Sequence, residues 1–268
     1  MKKLVCFAAL AVLSLVATGV FAQEKDKSTL RLVFYNVERG AWAAPDEIAA
    51  MLREYDPDVV GFNEVPQGDW TKRVGSALGY DYSYTGRISS AMVSANFKED
   101  WGLDKYKSIL SRYPIRDARE ILLDAPGGWN QASGVGVTID VNGKKVAIYS
   151  THLCFNENWD DHAKQLFDGV VKHDADADLI IVGGDFNCHV DHASGIKHFL
   201  DGGFKNNWLE LKIDTADLFT YSAQDPDDNL GVIDQIVFKG DARATDGGII
   251  ELEKALSDHK PIWLELKF

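Results

Sequence analysis

The sequence predicts a single α/β domain with two layers of mixed sheet and helices outside. Three observations predict it. Short uninterrupted apolar runs, such as Leu179-Ile180-Ile181-Val182 and Val59-Val60-Gly61-Phe62, read as strands buried on both faces. Segments of helical period alternate with them from the start of the domain. Asn142-Gly143 joins two apolar stretches and is the strongest hairpin signal in the chain.

The chain has 268 residues, 46% of them hydrophobic, which is enough to bury a large core. It has no interior linker, low-complexity run or short repeat, so residues 23–268 are expected to form one domain. Residues 1–22 read as a signal peptide. Lys2 and Lys3 precede an apolar run ending in Val20-Phe21-Ala22, which suits cleavage before Gln23. The alternative, a membrane anchor, is disfavoured by the short span. The expectation is export to the periplasm or medium.

Taken in order, residues 28–35 form a strand ending at Asn36, and residues 45–55 form a helix. Pro45 starts that helix, and Ile48, Met51, Leu52 and Tyr55 share one face. A strand over 58–64 ends in Glu64, and a helix follows over 69–78. Tyr80, Tyr82 and Tyr84 alternate like an edge strand. Residues 86–105 have no period and are expected to be a long loop on a binding rim. Strands follow over 106–114 and 119–123, then the hairpin pairs 132–141 with 144–152 and ends at His152. Residues 159–173 are an amphipathic helix and 192–200 a further one. Strands are expected over 232–238, 241–252 and 262–266.

Between these lies Leu179–Asn187, whose Gly183-Gly184 is expected to turn the chain sharply. Extended geometry would put Asp185 and Asn187 on one side and Phe186 on the other as a packing anchor. An Asx turn closing a core strand is the plainer alternative.

The formal net charge is −13, and without the leader 26 basic face 41 acidic side chains. This argues against sequence-independent binding to polyanions. A phosphate ester remains compatible, because a bound cation screens a site locally. Past the leader only Cys154 and Cys188 remain, one potential disulfide or two buried thiols.

Six predicted strands end in polar residues suited to metal or phosphate chemistry. These ends are Asn36, Glu64, His152, Asp185 with Asn187, Asp234, and Asp258 with His259. Each alone has a structural explanation as a turn, a cap or a buried hydrogen-bonding group. If they converge on one rim, six together are hard to explain as turns.

Phe34-Tyr-Asn36-Val, Gly61-Phe-Asn-Glu64-Val, Leu110-Ser-Arg-Tyr-Pro-Ile115, Ser150-Thr-His152-Leu, Gly183-Gly-Asp185-Phe-Asn187, Ile233-Asp234-Gln-Ile and Ser257-Asp258-His259-Lys-Pro261 occur in that order. The ordered set resembles the endonuclease/exonuclease/phosphatase (deoxyribonuclease I-like) superfamily from Leu30 to Leu266. The resemblance implies a four-layer α/β sandwich, two packed mixed sheets flanked by helices, and metal-dependent cleavage of phosphate esters. Asn36, Glu64 and, from the family pattern, Asp258 would hold Mg²⁺, with Mn²⁺ able to substitute; oxygen ligands suit such hard cations. His152, Asp185, Asn187, Asp234 and His259 would be catalytic. Asp185 would handle the attacking water with Asn187, His152 would donate to phosphate or leaving oxygen, and Asp234 would fix the tautomer of His259. Both Asp185 and His259 stand as candidate general bases.

Zinc on His152, His189, His192 and His259 is the competing metal reading, disfavoured by the lack of a close histidine pair. A serine hydrolase fails for want of a nucleophile elbow. Asn63 stands where the family often has glutamine, Tyr106-Lys107-Ser108 replaces a usual Gly-Asn, and Gln235 replaces an aromatic. The expected substrate is a small or lipid-linked phosphodiester or a phosphomonoester, acted on by a monomer without membrane insertion. A secreted nuclease and an inactive binding protein are the alternatives. Trp101, Trp129 and Trp159 fall at the rim, to stack on substrate or to pack the loops.

Overall fold

The computed structural model describes residues 28–89, 91–92, 105–124, 129–154, 159–190 and 194–268. The predicted leader, Trp101, His192 and the side chains of Trp129 and Trp159 lie outside that description.

The strands are β1 (Thr29–Asn36), β2 (Val59–Val65), β3 (Tyr82–Thr85), β4 (Ala91–Met92), β5 (Tyr106–Ser111), β6 (Arg116–Leu123), β7 (Trp129–Val141), β8 (Lys144–His152), β9 (Leu179–Asp185), β10 (Lys205–Asn206), β11 (Asp234–Gly240), β12 (Arg243–Ile249) and β13 (Ile262–Lys267). The helices are α1 (Pro45–Tyr55), α2 (Trp70–Leu78), α3 (Trp159–Asp174), α4 (Ser194–Asp201) and α5 (Asn207–Leu211). One sheet runs β12-β13-β1-β2-β5-β3; the other runs β10-β11-β9-β8-β7-β4, with β6 also on β7. Both are mixed: β1 with β2 and β8 with β9 are parallel, and the flanking pairs are antiparallel.

Each central strand is buried on both faces, which explains the unbroken apolar runs. Leu30, Leu32, Phe34 and Ile109 point inward and meet Val137, Ile148, Ile181 and Ile236 of the facing sheet. The alternate residues Val33 and Tyr35 point outward onto Ile48, Leu52 and Val74 of α1 and α2. On the far side, Tyr149 and Val182 pack under Leu166, Val170, Ile196 and Phe199 of α3 and α4. Helix, sheet, sheet, helix is the four-layer sandwich that the family resemblance implies.

The glycines before Asp185 do something other than the sharp turn expected of them. β9 runs through both to Asp185. A Cβ on Gly183 would lie 2.5 Å from the Phe34 ring, and one on Gly61 would lie 2.4 Å from it. The two glycines therefore let the sheets close around one phenylalanine. Only Gly184 carries a backbone that side chains avoid, with φ +133 and the Thr151 carbonyl 2.2 Å from where its Cβ would be.

Register then sets the site. Asp185 pairs with His152 on one side and with Asp234 on the other. In the opposite sheet Asn36 pairs with Asn63, the residue before Glu64.

Candidate active site

Asp185 lies at the centre, on the last residue of β9, and is 2% exposed. Its Oδ2 accepts from Asn36 Nδ2 at 3.2 Å and lies 3.3 Å from His152 Nε2 and 3.5 Å from His259 Nε2. Its Oδ1 accepts the Asn187 N–H at 2.9 Å. Asn187 is not extended as expected: its φ is +50, so the strand ends in an Asx turn on Asp185. The plainer alternative drawn from sequence, the Asx turn, is thus present, and it lies among the polar side chains that converge on Asp185. The Asn187 side chain reaches sideways and donates to the Leu153 carbonyl at 2.7 Å, while Phe186 is buried as expected.

His259 Nδ1 meets Asp234 Oδ2 at 2.9 Å, and both residues are nearly fully buried. The start of β11 is held by the Thr220 hydroxyl, which accepts from Ile233 N at 3.1 Å and Asp234 N at 3.2 Å. Next to it the Tyr221 ring stands edge-on to the His259 ring with centroids 5.2 Å apart. Burial alone would lower the His259 pKa, but Asp234 and Asp185 override it and push it up to about 10. Burial raises Asp185 to about 7, with His259 pulling the other way. Burial, then Lys105 and Lys107, hold His152 far below its ordinary value, so it is neutral.

Glu64 has a left-handed backbone, φ +52, where the β2–β5 ladder slips between Phe62 and Val65. Such a bulge re-aims one side chain off the regular pleat. Glu64 Oε1 accepts from Lys105 Nζ at 2.8 Å and lies 3.5 Å from His152 Nδ1. Its Oε2 is buried without a hydrogen-bond partner. Asp258 takes the Ser257 hydroxyl at 3.1 Å, and its carboxyl is raised by burial and by Glu64. Glu38, absent from the predicted set, is raised by burial and then by Asp258 and Glu64, and it too has an orphaned buried oxygen, Oε2.

Sequence reasoning also passed over Asn63, treating it as a tolerated change. Asn63 Oδ1 accepts the Asp185 backbone N–H at 3.0 Å, and its Nδ2 donates to Ser150 Oγ at 3.0 Å. It thereby ties the Glu64 strand to the Asp185 strand across the two sheets. The legible signal was a fully buried amide directly before a carboxylate. Gln235 has a structural role, bonding Cys188 O, Val232 O and the Asn206 amide. Cys154 and Cys188 are buried thiols outside any disulfide, the second of the two expectations.

A family model for the endonuclease/exonuclease/phosphatase family matches residues 33–259. The chain belongs to the endonuclease/exonuclease/phosphatase family. Members of this family hydrolyse phosphate esters and are generally dependent on divalent metal ions. Its fold is shared with a family protein from Bacteroides thetaiotaomicron at TM-score 0.71 and 20% identity, over 90% of this chain and 95% of that one. A mannosyl-6-phosphatase of the same organism matches at TM-score 0.67 and 21% identity, over 89% and 100%. TDP2 from D. rerio, complexed with a single-strand DNA product, matches at 0.69 and 16%, over 90% and 100%. No curated protein matches the sequence significantly.

The donor chemistry of this family member fits a hard cation. Among the described residues no three His, Cys, Asp or Glu side chains make a ready-made metal cage. Mg²⁺ needs none, because it keeps several waters and takes one or two carboxylates. Glu38, Glu64 and Asp258 repel one another electrostatically, and two of their oxygens are buried without partners. A bound cation would relieve both penalties. The zinc reading fares worse: His152 and His259 both face Asp185, while His189 lies beside Gly231.

Proposed function

We propose that the chain is an exported Mg²⁺-dependent phosphoesterase, hydrolysing a small or lipid-linked phosphodiester or a phosphomonoester by attack of water. One observation carries the reading: Asn36, His152 and His259 converge on a single oxygen of Asp185, with Asp234 behind His259. Asn36, Glu64 and Asp258 would hold the metal, which when bound stabilises charge on the phosphoryl oxygens. Both ring nitrogens of His259 face carboxylate oxygens, an arrangement that suits a doubly protonated imidazolium donating to phosphate. Asp185 is left to take the proton of the attacking water, which Asn187 helps position. Neutral His152 donates one N–H to the phosphate or leaving oxygen.

Support for the substrate class is the acidic balance of the chain, −13, which disfavours a polyanion gripped without regard to sequence. A secreted nuclease is the second reading, favoured by the DNA-product complex of a structural neighbour. Purified mature protein with Mg²⁺ should be offered bis-p-nitrophenyl phosphate, a sugar phosphate, sphingomyelin and plasmid DNA. Turnover of the small or lipid esters supports the proposal. Rapid nicking of the plasmid alone would replace it with the nuclease, and inactivity on every substrate would leave a binding protein. The export proposal is tested by the N-terminus of protein recovered outside the cytoplasm, expected at Gln23.

A further inference from the structure

We infer that Lys105 is a substrate-binding residue, its ammonium donating to a non-bridging oxygen of the scissile phosphate. Lys105 immediately precedes β5, whose first residue, Tyr106, pairs with Val65 just past the Glu64 bulge. That register sets Lys105 beside Glu64. Its backbone is pinned there, because its N–H donates to Ser89 Oγ at 3.1 Å and the Tyr106 hydroxyl accepts from Gln67 Nε2 at 3.2 Å. The side chain reaches inward, and Nζ donates to Glu64 Oε1 at 2.8 Å. The same oxygen lies 3.5 Å from His152 Nδ1, and the other nitrogen of that ring lies 3.3 Å from Asp185 Oδ2. Lys105, Glu64, His152 and Asp185 thus form one continuous row of polar contacts.

The geometry gives this lysine more to do than neutralise Glu64. An ammonium carries three N–H donors, and the Glu64 contact uses one. The Lys105 side chain is 24% exposed, whereas those of Glu64, His152, Asp185 and His259 are nearly buried, so the ammonium is open to a solute arriving from solvent. Its contact also leaves Glu64 Oε2 untouched: that oxygen is buried without a hydrogen-bond partner and remains for the cation. Lysine and metal therefore divide the carboxylate between them. The charge of the site calls for such a group. Glu38, Glu64, Asp185, Asp234 and Asp258 bring carboxyl groups together there, and a phosphate placed against them is repelled unless cations accompany it. The His259 imidazolium would supply part of that charge from the Asp185 side of the site. Lys105 supplies more from the Glu64 side, across the His152 ring.

That the phosphate is the scissile one rests on the phosphoesterase reading, and the experiment separates the two. Binding of inorganic phosphate at saturating Mg²⁺ is followed by phosphorus NMR, and binding of Mg²⁺ alone by calorimetry, in mature wild type, Lys105→Met and Lys105→Arg. Hydrolysis of p-nitrophenyl phosphate and bis-p-nitrophenyl phosphate is measured in parallel. Loss of one charge-assisted hydrogen bond should weaken phosphate about tenfold or more in Lys105→Met and raise KM by a similar factor, with a smaller change in kcat. Lys105→Arg should keep most of the affinity, and Mg²⁺ should bind Lys105→Met at least as tightly as wild type. Phosphate affinity unchanged in Lys105→Met overturns the inference: with weaker Mg²⁺ binding Lys105 would be a brace for Glu64, and with tighter Mg²⁺ binding a competitor of the metal. Failure of wild type to bind phosphate overturns it as well. Should circular dichroism show Lys105→Met unfolded, Lys105→Gln takes its place. Phosphate binding that depends on Lys105, without hydrolysis of either ester, supports the contact and counts against the phosphoesterase reading.

Discussion

Asp185 is held from both sheets, so the residues that hold it matter to the proposed chemistry as much as those proposed to face substrate. Asn63 reaches across from β2 to its backbone N–H. Asn63→Ala should leave that buried N–H unpaired and cost about 1–3 kcal/mol in urea unfolding, while lowering kcat more than it raises KM. Asn63→Gln, closer to the common family residue, should recover part of both. Asp234→Asn would offer His259 Nδ1 an amide in place of a carboxylate. Loss of the charge that keeps the imidazole protonated should lower kcat roughly 10²-fold with little change in stability. An unchanged kcat in this variant would remove Asp234 from the mechanism.

The strand ends were readable as elements because a doubly buried strand that stops at a polar residue leaves a clear mark in sequence. β1, β2, β8 and β9 all show it, and the Asn142-Gly143 hairpin was equally plain. Glu64 and Asn187 were legible as candidate site residues, whereas their left-handed backbones were not. Those depend on the slip of β2 against β5 and on the Asp185 side chain, which are tertiary facts. β10 and α5 escaped notice because both are very short, and their junction depends on Asn206 capping Trp208 and Leu209. Gly183 was misread for a related reason: its partner, Phe34, is far away in sequence. Gly183→Ala should therefore destabilise by about 1–3 kcal/mol through overpacking between the sheets. A smaller neighbour should rescue it, so Phe34→Leu combined with Gly183→Ala should be less than additive in thermal or urea unfolding.

For the whole molecule, two buried bases link stability to pH in the same direction. Burial pushes Lys107 down from an ordinary 10.5 to about 7. Between those values the unfolded chain binds a proton that the folded chain does not, so stability from this group rises with pH, and its penalty is in full force below pH 7. Lys107→Met should be more stable than wild type by on the order of a few kcal/mol at pH 6, the gain fading toward pH 10.5. Burial, helped by Lys107, pushes His162 from 6.5 to about 4, so its contribution is lost as pH falls through that window. His162→Phe should flatten the acid limb of the stability curve there. Chemical denaturation of wild type and both variants across pH checks each difference directly. Among the described residues no helix is long and apolar enough to cross a membrane.

The central claim is that Asp185 organises a metal-dependent phosphoesterase site, and hydrolysis of bis-p-nitrophenyl phosphate by mature wild type and Asp185→Ala tests it most directly, with Mg²⁺, after EDTA, and after Mg²⁺ is restored. Wild-type turnover should be abolished by EDTA and recovered with Mg²⁺, and it should fall about 10³-fold or more in the folded variant. Turnover that survives both EDTA and the loss of Asp185 would contradict it.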